Sequence, residues 1–237
     1  MNTPDTLKAC LDIYIASLPM PGRELRSADV EQGQRCKQML MEGGAASVPL
    51  LLDRLGDPDF LIKDLSYDLI LDIGETAKAA LYEARGHRGP IVDLWIARML
   101  KHLGDEEAMG ALRPLLKHPD ADVRHLSALA LAFDALDAAK TVTTEIYAVL
   151  AEALNNEHQI EGTPFNIAGS ALGCLTHLSG IHFLDSPRAI RFYNYEHFLY
   201  PPPVHPFPFA MDFYSPATEE EKQRIRQRVD TWLANIS

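Results

Sequence analysis

DPDFLIKDLSYDLILDIG, residues 57 to 74, and HPDADVRHLSALALAFDAL, residues 118 to 136, are two copies of one pattern. Pro58 stands against Pro119, Asp59 against Asp120, Ile62 against Val123, Lys63 against Arg124, Leu65 against Leu126, Ser66 against Ser127 and Ile70 against Leu131. Midway between them, GPIVDLWIARMLKHLGDEEA puts Val92, Ala97, Leu100, Leu103 and Gly104 on the positions of Ile62, Tyr67, Ile70, Ile73 and Gly74. A fourth and more divergent copy, FNIAGSALGCLTHLSG, carries Ile167, Ala171, Leu175 and Leu178 in the same apolar slots, after an insertion that NNEHQIEGTP accounts for. Self-similarity at a period of this size is the signature of a repeat architecture.

Each copy reads as the second helix of a pair. Ahead of the four copies lie SVPLLLDRLG, ETAKAALYEARG, AMGALRPLLKH and EIYAVLAEALNN, all with Leu, Ala or Val at spacings of three and four, the period of an amphipathic helix. The Pro- and Gly-bearing turns GDPD, GHRGP and KHPDA stop these first helices. Asp59 and Asp120 stand where a side-chain oxygen caps the next one. Helices this short cannot bury their own apolar stripe, so neighbouring pairs are expected to stack and share a core, with Ala97, Ser127, Ala128 and Ala171 allowing close approach.

The run of Asp-Pro, then Val or Ile followed by Lys or Arg, then small and Leu residues, closing near Gly-Asp, resembles HEAT repeats, especially the short bacterial repeats of the phycobilisome lyases. The resemblance covers roughly residues 45 to 180. Lys63 and Arg124 fill the basic slot, whereas Asp93 reverses its charge and the fourth copy has Ala168 there. The resemblance implies an all-α fold, an α-solenoid of about four helix pairs, with a binding role.

The expected organisation is one continuous domain in three parts. Residues 1–44 form a helical cap, with helices over 3–18 and 27–42 whose stripes carry Leu7, Leu11, Tyr14 and Ile15, then Val30, Met39 and Leu40. Residues 45–180 hold the repeats. Residues 181–237 hold an irregular Pro- and aromatic-rich stretch and a closing helix. Between Phe183 and Tyr214 lie ten of the chain's 19 aromatics with six of its 16 prolines, a density that prevents a helix while being too aromatic for a solvated linker. Phe192, Tyr193, Tyr195, Phe198 and Tyr200 are expected to cover the last repeat, with PPPVHPFPF as a lesser candidate for polyproline recognition. In TEEEKQRIRQRVDTWLANIS, Thr218 and Glu221 form a capping box, and Ile225, Val229 and Trp232 form the apolar stripe.

Composition narrows the function. Among 237 residues, 33 acidic against 22 basic side chains leave a net charge of −11, which disfavours nucleic acid and anionic membranes and favours a basic protein partner. Three widely spaced cysteines, Cys10, Cys36 and Cys174, read as buried thiols rather than a disulfide framework. With no signal-peptide pattern and no run of about 20 apolar residues, a cytoplasmic, soluble protein is expected. Phosphate-loop, nucleophile-elbow and HExxH motifs are missing. Cys174 occupies an apolar slot and reads as a core thiol rather than a nucleophile paired with His177, and the histidines of separate repeats do not converge on a metal.

In the second helices, the third, seventh and eleventh positions, counting the Val or Ile slot as the first, fall off the apolar stripe and are expected to line a partner-binding inner layer. These are Asp64, Asp68 and Asp72 in the first unit, Leu94, Arg98 and His102 in the second, and His125, Leu129 and Phe133 in the third. Three carboxylates four residues apart repel one another by a few tenths of a kcal/mol per pair, so a binding role competes with a merely solvated face. The leading expectation is a non-enzymatic scaffold or adaptor for another protein, with no cofactor or metal. A sharper form is an acidic inhibitor or immunity protein for a basic toxin. The resemblance also implies a bilin lyase or tetrapyrrole-handling role as the alternative. The HEAT-like DNA glycosylases come last, because the Asp row has the wrong charge for phosphates.

Overall fold

The computed structural model describes residues 3–18, 26–57, 59–137, 142–160, 166–181, 183 and 218–236. Among them are ten α-helices and no β-strand: α1 (Pro4–Ala16), α2 (Ser27–Gly43), α3 (Val48–Arg54), α4 (Phe60–Ile73), α5 (Lys78–Ala84), α6 (Pro90–His102), α7 (Ala121–Asp137), α8 (Thr144–Ala153), α9 (Ile167–Ser179) and α10 (Glu219–Ile236). No helix among the described residues is long and apolar enough to cross a membrane. The contacts group the chain into two compact units, Met1–Ala108 and Met109–Ser237.

The repeat register reappears in burial. Ile70, Leu100, Leu131 and Leu175, which share one slot, are all buried, and so are Tyr67, Ala97 and Ala128 in another. Ser66 and Ser127 are both fully buried, and each hydroxyl donates to the carbonyl four residues back, on Ile62 and Val123, at 2.7 Å. Helix starts repeat as well. The Asp59 carboxylate accepts from the Leu61 N–H at 2.9 Å, and the Asp120 carboxylate from the Asp122 N–H at 2.9 Å. These bonds satisfy backbone donors that the first turn leaves open.

The glycine register of the sequence extends one step further back, to Gly44. Gly44, Gly74 and Gly104 end α2, the α4 segment and the α6 segment, 30 residues apart, and all three have positive φ (55°, 71° and 90°). A side chain at these turns would meet the left-handed penalty that glycine avoids. The chain then enters a 3-10 turn at Gly44–Ala46 and again at Gly74–Ala77, followed by α3 and α5. The amino-terminal segment therefore shares the turn geometry of the repeats.

In the first unit α1 and α2 pack antiparallel, α2 and α3 lie on α4, and α4 and α5 lie on α6. Leu7, Leu11, Tyr14 and Leu40 are buried as their stripes require, but Val30 is 41% exposed. The reason is length: Gly33 already faces Ser17 at the end of α1, so Val30, one turn earlier, lies beyond the reach of α1. The Gly33 contact is close enough that a Cβ there would lie 2.4 Å from the Ser17 Cβ.

In the second unit α7, α8 and α9 pack against one another and α10 lies on α8. AMGALRPLLKH departs from expectation, forming a 3-10 helix over Ala108–Lys117 with Pro114 inside it. Proline has no N–H to donate and its ring crowds the carbonyl four residues back, which disfavours the α-helical turn. The capping box of α10 is present in both directions: the Thr218 N–H donates to Glu221 at 2.8 Å, and the Glu221 N–H to the Thr218 hydroxyl at 3.2 Å. Ile225 and Val229 are buried, and Trp232 meets Tyr147 (4.9 Å between ring centroids) and Phe183 (5.7 Å) edge-on. The expected cover formed by Phe192, Tyr193, Tyr195, Phe198 and Tyr200, and the PPPVHPFPF stretch, lie outside the described residues.

Candidate functional site

The acidic row on α4 sits where α1, α2 and α4 meet. Asp59 fixes the start of the helix, and the spacing of four residues then brings Asp64, Asp68 and Asp72 onto one face. Asp72 is exposed and pairs with Lys37 of α2 at 2.9 Å. That lysine is held above its usual range by its hydrogen bond to Asp72, with burial acting in opposition. Asp68 is raised by burial and then by Asp72, while Lys37 pulls it back. Asp64 is half-buried. Its Oδ1 is enclosed without a hydrogen-bond partner, and its carboxyl is pushed up to about 6 by burial and then by Asp68. Tyr14 of α1 shares the neighbourhood: burial raises its phenol, Lys37 lowers it, and Asp72 and Asp68 raise it.

The row does not continue outward as expected. Leu94 is 7% exposed, and His125 and Leu129 are each 3% exposed, so these three pack into cores rather than line a surface. Leucine in a slot filled by aspartate elsewhere is free to turn inward, because burying it gains transfer free energy instead of losing hydration. Arg98 lies over the Trp95 ring at 5.7 Å, and His102 meets Tyr67 edge-on at 6.3 Å. Burial and then Arg98 hold the His102 imidazole below its ordinary range. Asp68 stays exposed, and so does the last position at Asp72, His102 and His177.

His125 belongs to a second polar cluster that sequence reasoning did not assemble. Its Nδ1 accepts from the Asn156 amide at 2.9 Å, because that amide also donates to Asp122 at 2.6 Å. The remaining ring proton is therefore on Nε2, which faces Glu152 at 3.4 Å. Arg124, the basic slot of the repeat, holds the same Glu152 carboxylate and donates to the His118 carbonyl at 2.6 Å. His158 reaches Asp122 at 3.0 Å. Hydrogen bonds from Asn156 and then His158 hold the Asp122 carboxyl low, and burial holds His125 low against the pull of Glu152. The His125 Nε2 itself is enclosed without a hydrogen-bond partner, while the remaining bonds pin the start of the NNEHQIEGTP insertion to α7 and α8. The spacing of HPDADVRH and NNEH carried the partners, but only the fold shows which of them meet.

Cys174 is 2% exposed and its thiol is pushed up to about 12 by burial, so it is a core thiol and not a nucleophile for His177. Comparison with protein-family models, curated proteins and solved structures finds no match for this chain.

Proposed function

We propose that this protein is a non-enzymatic, cytoplasmic interaction scaffold that receives a basic segment of a protein partner on the acidic face of α4. The observation that carries the reading is Asp64: a half-buried carboxylate with an enclosed, unsatisfied oxygen, beside two more carboxylates of which Asp72 has Lys37. Among the described residues no cation pairs with it. Such a group is costly in the free protein, and a lysine or arginine arriving from a partner relieves that cost. The net charge of −11 adds long-range attraction for a basic surface.

The row of helix pairs is read here as a short α-solenoid of HEAT-like repeats, supported by the repeated buried slots, the paired Asp caps and the glycine turns. Solenoids commonly present one helix layer to a partner. The sharper form, an acidic inhibitor or immunity protein for a basic toxin, rests on the same charge.

The test is affinity capture from the native host with the wild-type chain and with a variant carrying Asp64→Asn, Asp68→Asn and Asp72→Asn. Recovery of a stoichiometric basic partner by the wild type and its loss with the variant is expected. Equal recovery by both would remove the acidic face from the reading.

A further inference from the structure

Two of the three cysteines and one methionine lie between α1 and α2. Cys10 on α1 and Cys36 on α2 are each 6% exposed, and both helices pack against one another along this seam. The Cys10 Sγ lies 3.7 Å from the Sδ of Met39. Met39 follows Cys36 by three residues on the same helix, so both sulfurs leave α2 on one face, toward α1. Sulfurs of α1 and α2 thus meet across the seam, with Cys36 one turn from Met39 and Met39 half-buried as the member nearest solvent.

We propose that Cys10, Cys36 and Met39 form a binding site for a soft monovalent metal ion, Cu(I), in a trigonal all-sulfur arrangement. Thiolate and thioether donors select Cu(I) over harder ions. A first-row ion bonded to sulfur at about 2.3 Å in a trigonal plane needs its sulfurs roughly 4.0 Å apart, close to the Cys10–Met39 separation. Zinc is disfavoured because a structural zinc takes four ligands, and no group of three His, Cys, Asp or Glu side chains that could hold a metal occurs among the described residues. A disulfide would use only two of the sulfurs and would need an oxidant, whereas metal binding uses all three without electron transfer. Each thiol releases its proton to solvent as its sulfur bonds the ion, and the thioether donates a lone pair. The product carries one net negative charge, and Arg35, which already lowers the Cys36 thiol, offsets it.

The reduced full-length chain is titrated without oxygen against the Cu(I)–bicinchoninate complex. The expected result is withdrawal of one copper per chain and an ultraviolet thiolate-to-copper absorption. Cys10→Ser and Cys36→Ser are expected to lose the copper to the chelator, Met39→Leu to hold it more weakly, and Cys174→Ser to behave as wild type. Met39→Leu conserves volume and so keeps the fold, and X-ray absorption of the copper-loaded wild type reads the ligands without any substitution. Failure of the folded wild type to withdraw copper, equal retention by Met39→Leu, loss through Cys174→Ser, or nitrogen or oxygen neighbours in the absorption spectrum would each overturn the assignment.

Discussion

Asp64 makes stability depend on pH with a sign opposite to that of a salt-bridged aspartate. Its carboxyl titrates at about 6 in the folded chain and near 3.8 when unfolded, so the folded state holds the extra proton between those values. The folded protein is free of this cost below the unfolded value, and the cost grows as pH rises through about 6. Asp64→Asn is therefore expected to stabilise the free protein at neutral pH by ~1 kcal/mol, a figure reduced for solvent screening of a half-buried group. The gain should vanish under acidic conditions, as read by urea denaturation at several pH values. A partner that brings a cation to Asp64 should bind more tightly as pH rises through the same interval. Cys174 supports a simpler expectation: at neutral pH an alkylating reagent should leave it unmodified in the native chain and react once denaturant opens the core, as mass spectrometry would record.

At the scale of elements, the glycine turns and the last helix invite direct tests. A Cβ added at Gly74 meets nothing within 4 Å, so Gly74→Ala isolates the cost of a positive φ. A loss of about 1 kcal/mol is expected, while Gly110→Ala, in equally open space without a positive φ, should change stability little. Trp232 holds α10 to Tyr147 and Phe183. Because it is half-buried, Trp232→Ala should cost about 2 kcal/mol, below the range for a fully buried aromatic, and should expose the α10 region to protease first. The helix pairs themselves were legible in the sequence, since apolar spacing, Asp caps and turn residues are local signals. The 3-10 conformation of Ala108–Lys117 was signalled by Pro114, which outweighs an amphipathic pattern there.

For the molecule as a whole, an excess of 11 negative charges predicts that association with a basic partner is driven in part by long-range attraction. The association rate should fall steeply as ionic strength rises, with a smaller change in dissociation rate, and stopped-flow measurements over a salt series would show it. A flat salt dependence would mean that contacts other than charge govern the encounter.

The linear pattern by itself determined that the chain is helical, where most helices begin and end, and which slots of the repeat are buried, because these follow from periodicity and backbone chemistry within a few residues. Only the tertiary structure decided which polar positions stay outside. Asp64 and His125 occupy the same repeat position, yet one is a half-buried carboxylate next to the other carboxylates of α4 and the other a core imidazole whose Nδ1 accepts from Asn156. Cys10 and Cys36 are far apart in the chain and meet only because α1 and α2 run antiparallel. Burial and pairing of a side chain depend on what a distant segment brings to it, and no local spacing encodes that.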